Sequence, residues 1–319
     1  MIGTSLLALT LLSPASAQTY RPGAVLLEPI GARSLGLGNA VTALGDDITA
    51  IYSNPAGLSS IDNAEVMVDM GRTLSRDIWA SGAGAIPVGR KATVAASVDG
   101  FTINQDVGIS RLDNDFRYRA RPLGLDENNY IGRIAAARTI RPDLSIGVAA
   151  SYLNFRSLSQ QVLRENYQGL YGNFGIRYNS ALKGFVLGAS VMNVGGRISG
   201  AKDPDLPVTG SLGVSYGFLR KTADYINLTG DLVQVENEPL TFRAGAEYWW
   251  ANVLGVRAGY DGTAARRKEN PHGGEWRGGL SASVGGAFVD VVLLPNTGRM
   301  EDFGLAASIR MGFGPPRRR

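Results

Sequence analysis

The chain has 319 residues, 42 of them glycine, with no cysteine, one histidine and a formal charge of +4. The missing cysteines exclude disulfides and thiolate metal sites. The modest charge, with no basic stripe interleaved with aromatics, argues against nucleic-acid binding. Mean hydropathy is close to zero, and no run approaches the roughly 18 apolar residues that a transmembrane helix needs.

The first element is a short apolar run, Leu6 to Leu12, followed by Ser13-Pro14-Ala15-Ser16-Ala17. It reads as a signal peptide over 1–17 with an A-x-A cleavage site and Gln18 as the mature N-terminus. Met1 to Ser5 carries no Lys or Arg, so the true start codon is expected upstream of Met1.

Residues 18–60 differ from everything after them. Gly31, Gly36 and Gly38 let the backbone turn through positive φ or approach another segment closely. Asp46 and Asp47 stand where they can cap a short helical turn through Ile48, Ala50, Ile51 and Tyr52. Asn54-Pro55-Ala56-Gly57 then stops that turn, because Pro55 lacks an N–H and biases Asn54 away from helix. The segment is expected to form a compact, mostly apolar plug without a strand of its own.

From Ile61 onward the pattern changes to period 2. Val66, Val68 and Met70 alternate with Glu65, Met67 and Asp69, and Leu305, Ala307, Ile309 and Met311 alternate with Ala306, Ser308 and Arg310. Such alternation marks strands with one apolar and one polar face. About fourteen such segments run from 64–74 to 302–313, many near ten residues long, which is the length and even number of a membrane barrel. Strands of soluble sandwiches average nearer five or six residues. Short turns such as Tyr178 to Leu182 alternate with longer links such as Asp106 to Asn129 and Gly262 to Glu275. The fold class is therefore all-β: a transmembrane antiparallel barrel over 61–313, with apolar faces toward lipid and a polar lumen.

Charges within the strands follow from this phase. Arg243 and Glu247 share one face, as do Arg257 and Asp261, and Asp290 and Arg310 have the same inward phase. Arg or Lys facing lipid at mid-membrane would cost about 2–4 kcal/mol, so these six residues are expected to point inward. Partly desolvated there, they should pair into an ionic network that braces the wall and anchors the plug through Asp46 or Asp47. Loss of Arg243 is expected to strand Glu247.

The last strand closes on the aromatic Phe313, and a basic tail, 314–319, follows. Its prolines stop the strand. Its arginines either meet the phosphates of anionic lipid or lipopolysaccharide or fray in solvent. His272 sits alone in a Gly/Pro-rich loop, without the partners of a hydrolytic triad, and no clustered metal-ligand spacing is visible. Gly36 to Val41 has no strand before it, so it fails the context of a dinucleotide loop. A protein without catalysis or cofactor is expected.

The stretch from Gly31 to Ala40, followed by Asp46 to Leu58, resembles the N-terminal hatch of FadL-type outer-membrane channels. It is more similar still to their shorter PorV/PorQ relatives. Val191 to Gly196 with Leu206-Pro207-Val208, the pair Leu240–Trp250 and Gly255–Tyr260, and Val289 to Pro295 with Phe303-Gly304 are similar to later parts of PorV/PorQ proteins. The resemblance implies the bacterial outer membrane as location, with Gly31, Gly36, Gly38, Asp46, Asp47, Asn54, Pro55, Ala56 and Gly57 as the hatch motif. It also implies a role in type IX secretion, with a translocon and exported cargo as partners. The alternative it implies is a passive channel for hydrophobic small molecules such as fatty acids or aromatic hydrocarbons, which leave sideways through a gap in the wall.

Overall fold

The computed structural model describes residues 30–72, 78–112, 118–158, 166–200, 207–220, 224–262, 274–295 and 303–314. The expected signal peptide, Gln18, His272 and the arginines of the basic tail lie outside the described residues.

Fourteen strands close into one antiparallel barrel in which each pairs with its neighbours in sequence and β1 seals against β14. The first five are β1 (Ala64–Arg72), β2 (Ile78–Val88), β3 (Ala92–Leu112), β4 (Tyr118–Arg141) and β5 (Leu144–Leu158). The wall continues with β6 (Asn166–Asn179), β7 (Phe185–Gly200), β8 (Thr209–Arg220), β9 (Asp224–Val235) and β10 (Thr241–Trp250). It closes with β11 (Leu254–Asp261), β12 (Glu275–Val284), β13 (Ala287–Pro295) and β14 (Phe303–Phe313). Closure gives every strand a paired neighbour on both sides, which is what allows a sheet to sit in hydrocarbon.

Two details differ from the sequence reading. The link expected over Asp106 to Asn129 is mostly strand, because β3 and β4 stay in register up to Leu112 opposite Tyr118. β2 pairs with β3 only as far as Thr102, so the β3–β4 hairpin stands above its neighbour on that side. The alternation reads as one strand over 275–288, but the turn between β12 and β13 falls inside it, at Gly285 and Gly286, whose φ values are 60° and 87°. Two successive left-handed residues give the tight turn a hairpin needs, and that chemistry outweighs the apolar run through it.

The outward face is apolar all round: Val68 is 56% exposed, Ile134 66% and Leu280 64%. Aromatics mark its rims. Phe242, Tyr260 and Trp276 cluster on three adjacent strands at the long-link end, the first pair stacked and the second tilted, with ring centroids 5.1 and 5.2 Å apart. Trp250 and Phe313 stand exposed at the opposite end. A belt of this extent is stable only against lipid, and the protein is an outer-membrane barrel. The tight turns, at 142–143 and 285–286 among others, define the periplasmic end.

Inside the wall lies the N-terminal segment 30–61. It forms one helical turn, α1 (Ala32–Gly36), and two single 3₁₀ turns, Ile48–Tyr52 and Pro55–Ser60. The sequence reading had no helix at 32–36, since three glycines flank or end it. Pro55 does more than stop a turn. Asn54 caps the second 3₁₀ turn, its side chain accepting from the Ala56 N–H at 3.1 Å, and Pro55 opens it. Proline suits that first position because its missing N–H would have had no partner there.

Candidate functional site

The interior is built around the N-terminal segment, which is hydrogen-bonded to the wall along its length. Asp69 accepts from the Ala32 N–H at 3.1 Å, Glu65 from the Ile48 N–H at 3.0 Å, and Asp231 from the Thr42 N–H and hydroxyl at 3.0 and 2.7 Å. The Asn54 amide donates to the Ile176 carbonyl on β6 at 3.0 Å. Tyr52 donates to Asp99 on β3 at 3.0 Å and lies under the Arg133 guanidinium. Asp47 caps its own turn by accepting from the Thr49 N–H at 2.8 Å.

Glycines let the segment lie flush on the strands. A side chain at Gly147 would run into the backbone of Pro55 and Ala56, and one at Gly259 into the backbone of Leu37 and Gly38. Gly38 itself has φ +62° and packs on the Tyr260 backbone, while Gly36 abuts the Arg257 side chain. Gly31 has φ +97° against Thr49, and Gly57 packs on the Gly45 backbone. Ala56 is fully buried.

The charged residues meet on one side of the lumen, across β9 to β14 and β1. Arg33, which the sequence reading did not single out, is the hub. Its guanidinium holds Asp46 and Asp47 at 2.7 Å each and Glu247 at 2.5 Å. Arg257 pairs with Asp290 at 2.8 Å and stands 3.8 Å from Glu247. Arg310 reaches Asp47 at 2.6 Å and stacks over Phe288. Arg243 binds Asp261 at 3.1 Å, and Arg277 approaches the same carboxylate at 3.4 Å. Arg243 and Glu247 therefore do not pair with each other; their partners lie across the strands and on the N-terminal segment. Residues four apart on a strand sit two pleats from one another, farther than the cross-strand neighbour.

Electrostatics inside the segment follow from this packing. Burial alone would raise the Asp47 carboxyl, but Arg310 and Arg33 outweigh it and hold Asp47 well below the usual carboxylate range. Burial opposes the charge on Arg33, yet Asp46, Glu247 and Asp47 together keep its guanidinium more firmly protonated than in water.

The opposite side of the lumen corrects the expectation of a uniformly polar interior. Across β2 to β6 the inward row is Trp79, Phe101, Asn129, Phe155 and Tyr167, each opposite the next in the ladder. Ile131 and Leu153 stand side by side in the row beneath, and all seven are buried. Period-2 alternation still holds here. What changes is that this inward row, Asn129 apart, is apolar as well, so the polar-in pattern could not reveal it.

Two hollows lie away from this arc, on the β6 to β10 side. A cavity of about 90 Å³ lies between the N-terminal segment and β7, β8 and β10, lined by Asn39, Thr42, Tyr52, Asn193, Thr209 and Arg243 among others. A larger apolar one of about 580 Å³ opens on the wall, ringed by Ile176, Leu187, Leu212, Leu232 and Phe242. Among the described residues the β7–β8 ladder ends at Met192 opposite Thr209 although β7 continues to Gly200, with the left-handed Asn193, φ 64°, at that point. No group of side chains suited to holding a metal occurs among the described residues.

No protein-family model matches the sequence, and no curated protein matches it. Solved structures do. The toluene transporter TbuX of Ralstonia pickettii superposes with a TM-score of 0.62 at 14% identity, over 90% of this chain and 99% of that one. The toluene transporter TodX of P. putida gives 0.65 at 12% identity, over 91% and 100%. A FadL homologue of Pseudomonas aeruginosa gives 0.60 at 11% identity, over 90% and 99%. At such identities the likeness is one of fold: the chain is a fourteen-stranded bacterial outer-membrane barrel with the architecture of the FadL-type channels.

Proposed function

We propose that the protein is a passive channel admitting hydrophobic small molecules across the outer membrane, with segment 30–60 as its hatch. The observation that carries this is the apolar arc of Trp79, Phe101, Ile131, Leu153, Phe155 and Tyr167 inside the barrel. A hydrophilic pore has a polar lumen. An apolar inner wall instead offers a path to solutes that the charged, sugar-bearing outer leaflet repels. The ionic side serves as a brace that anchors the hatch, and no catalytic step is assigned. The neighbours of like fold, two toluene transporters and a FadL homologue, favour this reading over the type IX secretion role implied by the PorV/PorQ resemblance. The break between β7 and β8, beside the polar cavity, is the place for a sideways exit.

Uptake of radiolabelled toluene and of a long-chain fatty acid by cells expressing the protein tests the proposal, in a host lacking its own hydrophobic-compound channels. Uptake faster than in vector controls is expected for at least one of the two. Uptake equal to the control for both, with export of cargo proteins dependent on the barrel, would replace the channel with the secretion role.

A further inference from the structure

Asn129 is completely buried on the inward face of β4, and neither its amide nitrogen nor its amide oxygen has a hydrogen-bond partner. Its phase is fixed by its neighbours: Ile131 and Arg133 are buried on the same face, while Tyr130 and Ile134 point outward. In the ladder it stands directly between Phe101 on β3 and Phe155 on β5. Directly opposed side chains have Cβ atoms only about 4.5–5.5 Å apart, so the amide is flanked by an aromatic ring on either side. Trp79 and Tyr167 extend the same row. A buried, unpartnered amide is costly and uncommon, and here it is set into the apolar arc on which the channel reading depends.

We infer that Asn129 is a specificity-determining group that recognises one uncharged hydrogen-bonding substituent on an otherwise apolar ring or chain, as in a phenol. The inference rests on the channel reading and sharpens its substrate class. The aromatic row takes the apolar body by stacking and contact, and the amide offers one acceptor and two donor hydrogens to the substituent. A carboxylate is disfavoured. Asp99 lies one row below, buried, opposite Ile131 in the ladder, and Arg133, buried on the same face of β4, already binds it. A site built to hydrogen-bond a hydroxyl discriminates strongly against the analogue without one, because its own polar group is then left unpaired.

Calorimetric titration of the purified full-length protein in detergent, against matched detergent blanks, tests this with p-cresol, p-xylene and 4-methylbenzoate. The first two differ only in exchanging a hydroxyl for a methyl group. The wild type should bind p-cresol at least about tenfold more tightly than p-xylene, and more tightly than 4-methylbenzoate. Asn129→Leu should bring p-cresol down to the p-xylene level and leave p-xylene unchanged. Asn129→Ala reads the same ratio should the leucine variant not assemble. Equal affinities in the wild type, or a ratio that survives in a folded variant, would overturn the inference; the former is expected if a trapped water satisfies the amide, the latter if another group reads the hydroxyl. Binding is read apart from transport. Selectivity kept without uptake in cells would sink the channel alone, and uptake kept without selectivity would sink this inference alone.

Discussion

Removing the Arg33 guanidinium would leave Asp47 and Glu247 buried with one cation fewer. Breaking such a pair from one side costs about 3–5 kcal/mol, so Arg33→Met should markedly lower the temperature at which the barrel unfolds in heat-modifiability gels. Arg243→Ala should cost less, because Asp261 keeps Arg277 at 3.4 Å and the Asn39 amide at 2.9 Å. Equal shifts for the two variants would show that Arg33 is no hub. Acid should act on the same cluster. Asp47 has a depressed folded pKa, so its contribution is complete above the unfolded value of about 3.9 and is lost as pH falls through the folded one below it. Protease accessibility of segment 30–60 should therefore stay flat from neutral pH down to about pH 5 and rise only in strong acid. A rise near neutrality would mean that Asp47 does not hold the segment. Strand parity is what the sequence offers for Arg243, Glu247, Arg257, Asp261, Asp290 and Arg310, because a strand fixes phase by parity alone. Their partners are not legible there, since these depend on cross-strand register and on where Arg33 is threaded.

At the level of elements, the glycines of the wall divide into two kinds that composition cannot separate. Gly147 has the Pro55–Ala56 backbone against it, whereas Gly132 on β4 has nothing within 4 Å of an added Cβ. Gly147→Val should push the second 3₁₀ turn off β5, at an overpacking cost of about 1–3 kcal/mol, and raise uptake of a bulky antibiotic. Gly132→Ala should be silent in both assembly and leakage. If Gly147→Val left permeability unchanged in a folded barrel, contact between this turn and the wall would have no part in sealing the lumen. The strands themselves could be read from alternation and turn residues to within a few positions. The exceptions are physical: the β3–β4 hairpin outruns the bilayer, where alternation carries no burial signal, and α1 is set by packing on β11 to β14 rather than by its own propensity.

For the whole molecule, ladder and interior segment make separable contributions. The ladder closes through nine register pairs between β1 and β14, from Ala64 opposite Phe313 to Arg72 opposite Leu305. Deleting residues 30–60 should leave a heat-modifiable barrel that admits water-soluble antibiotics, because the freed wall charges would then be hydrated rather than stranded. Failure of that variant to assemble would make the segment part of the folding nucleus. The seam also constrains the order of events during assembly. Segment 30–61 runs directly into β1, so once β1 docks on β14 that segment is enclosed by the strands. A barrel closed in this way carries its inner segment with it, and joining the first strand to the last completes the enclosure, like a cork sealed in as the bottle is blown.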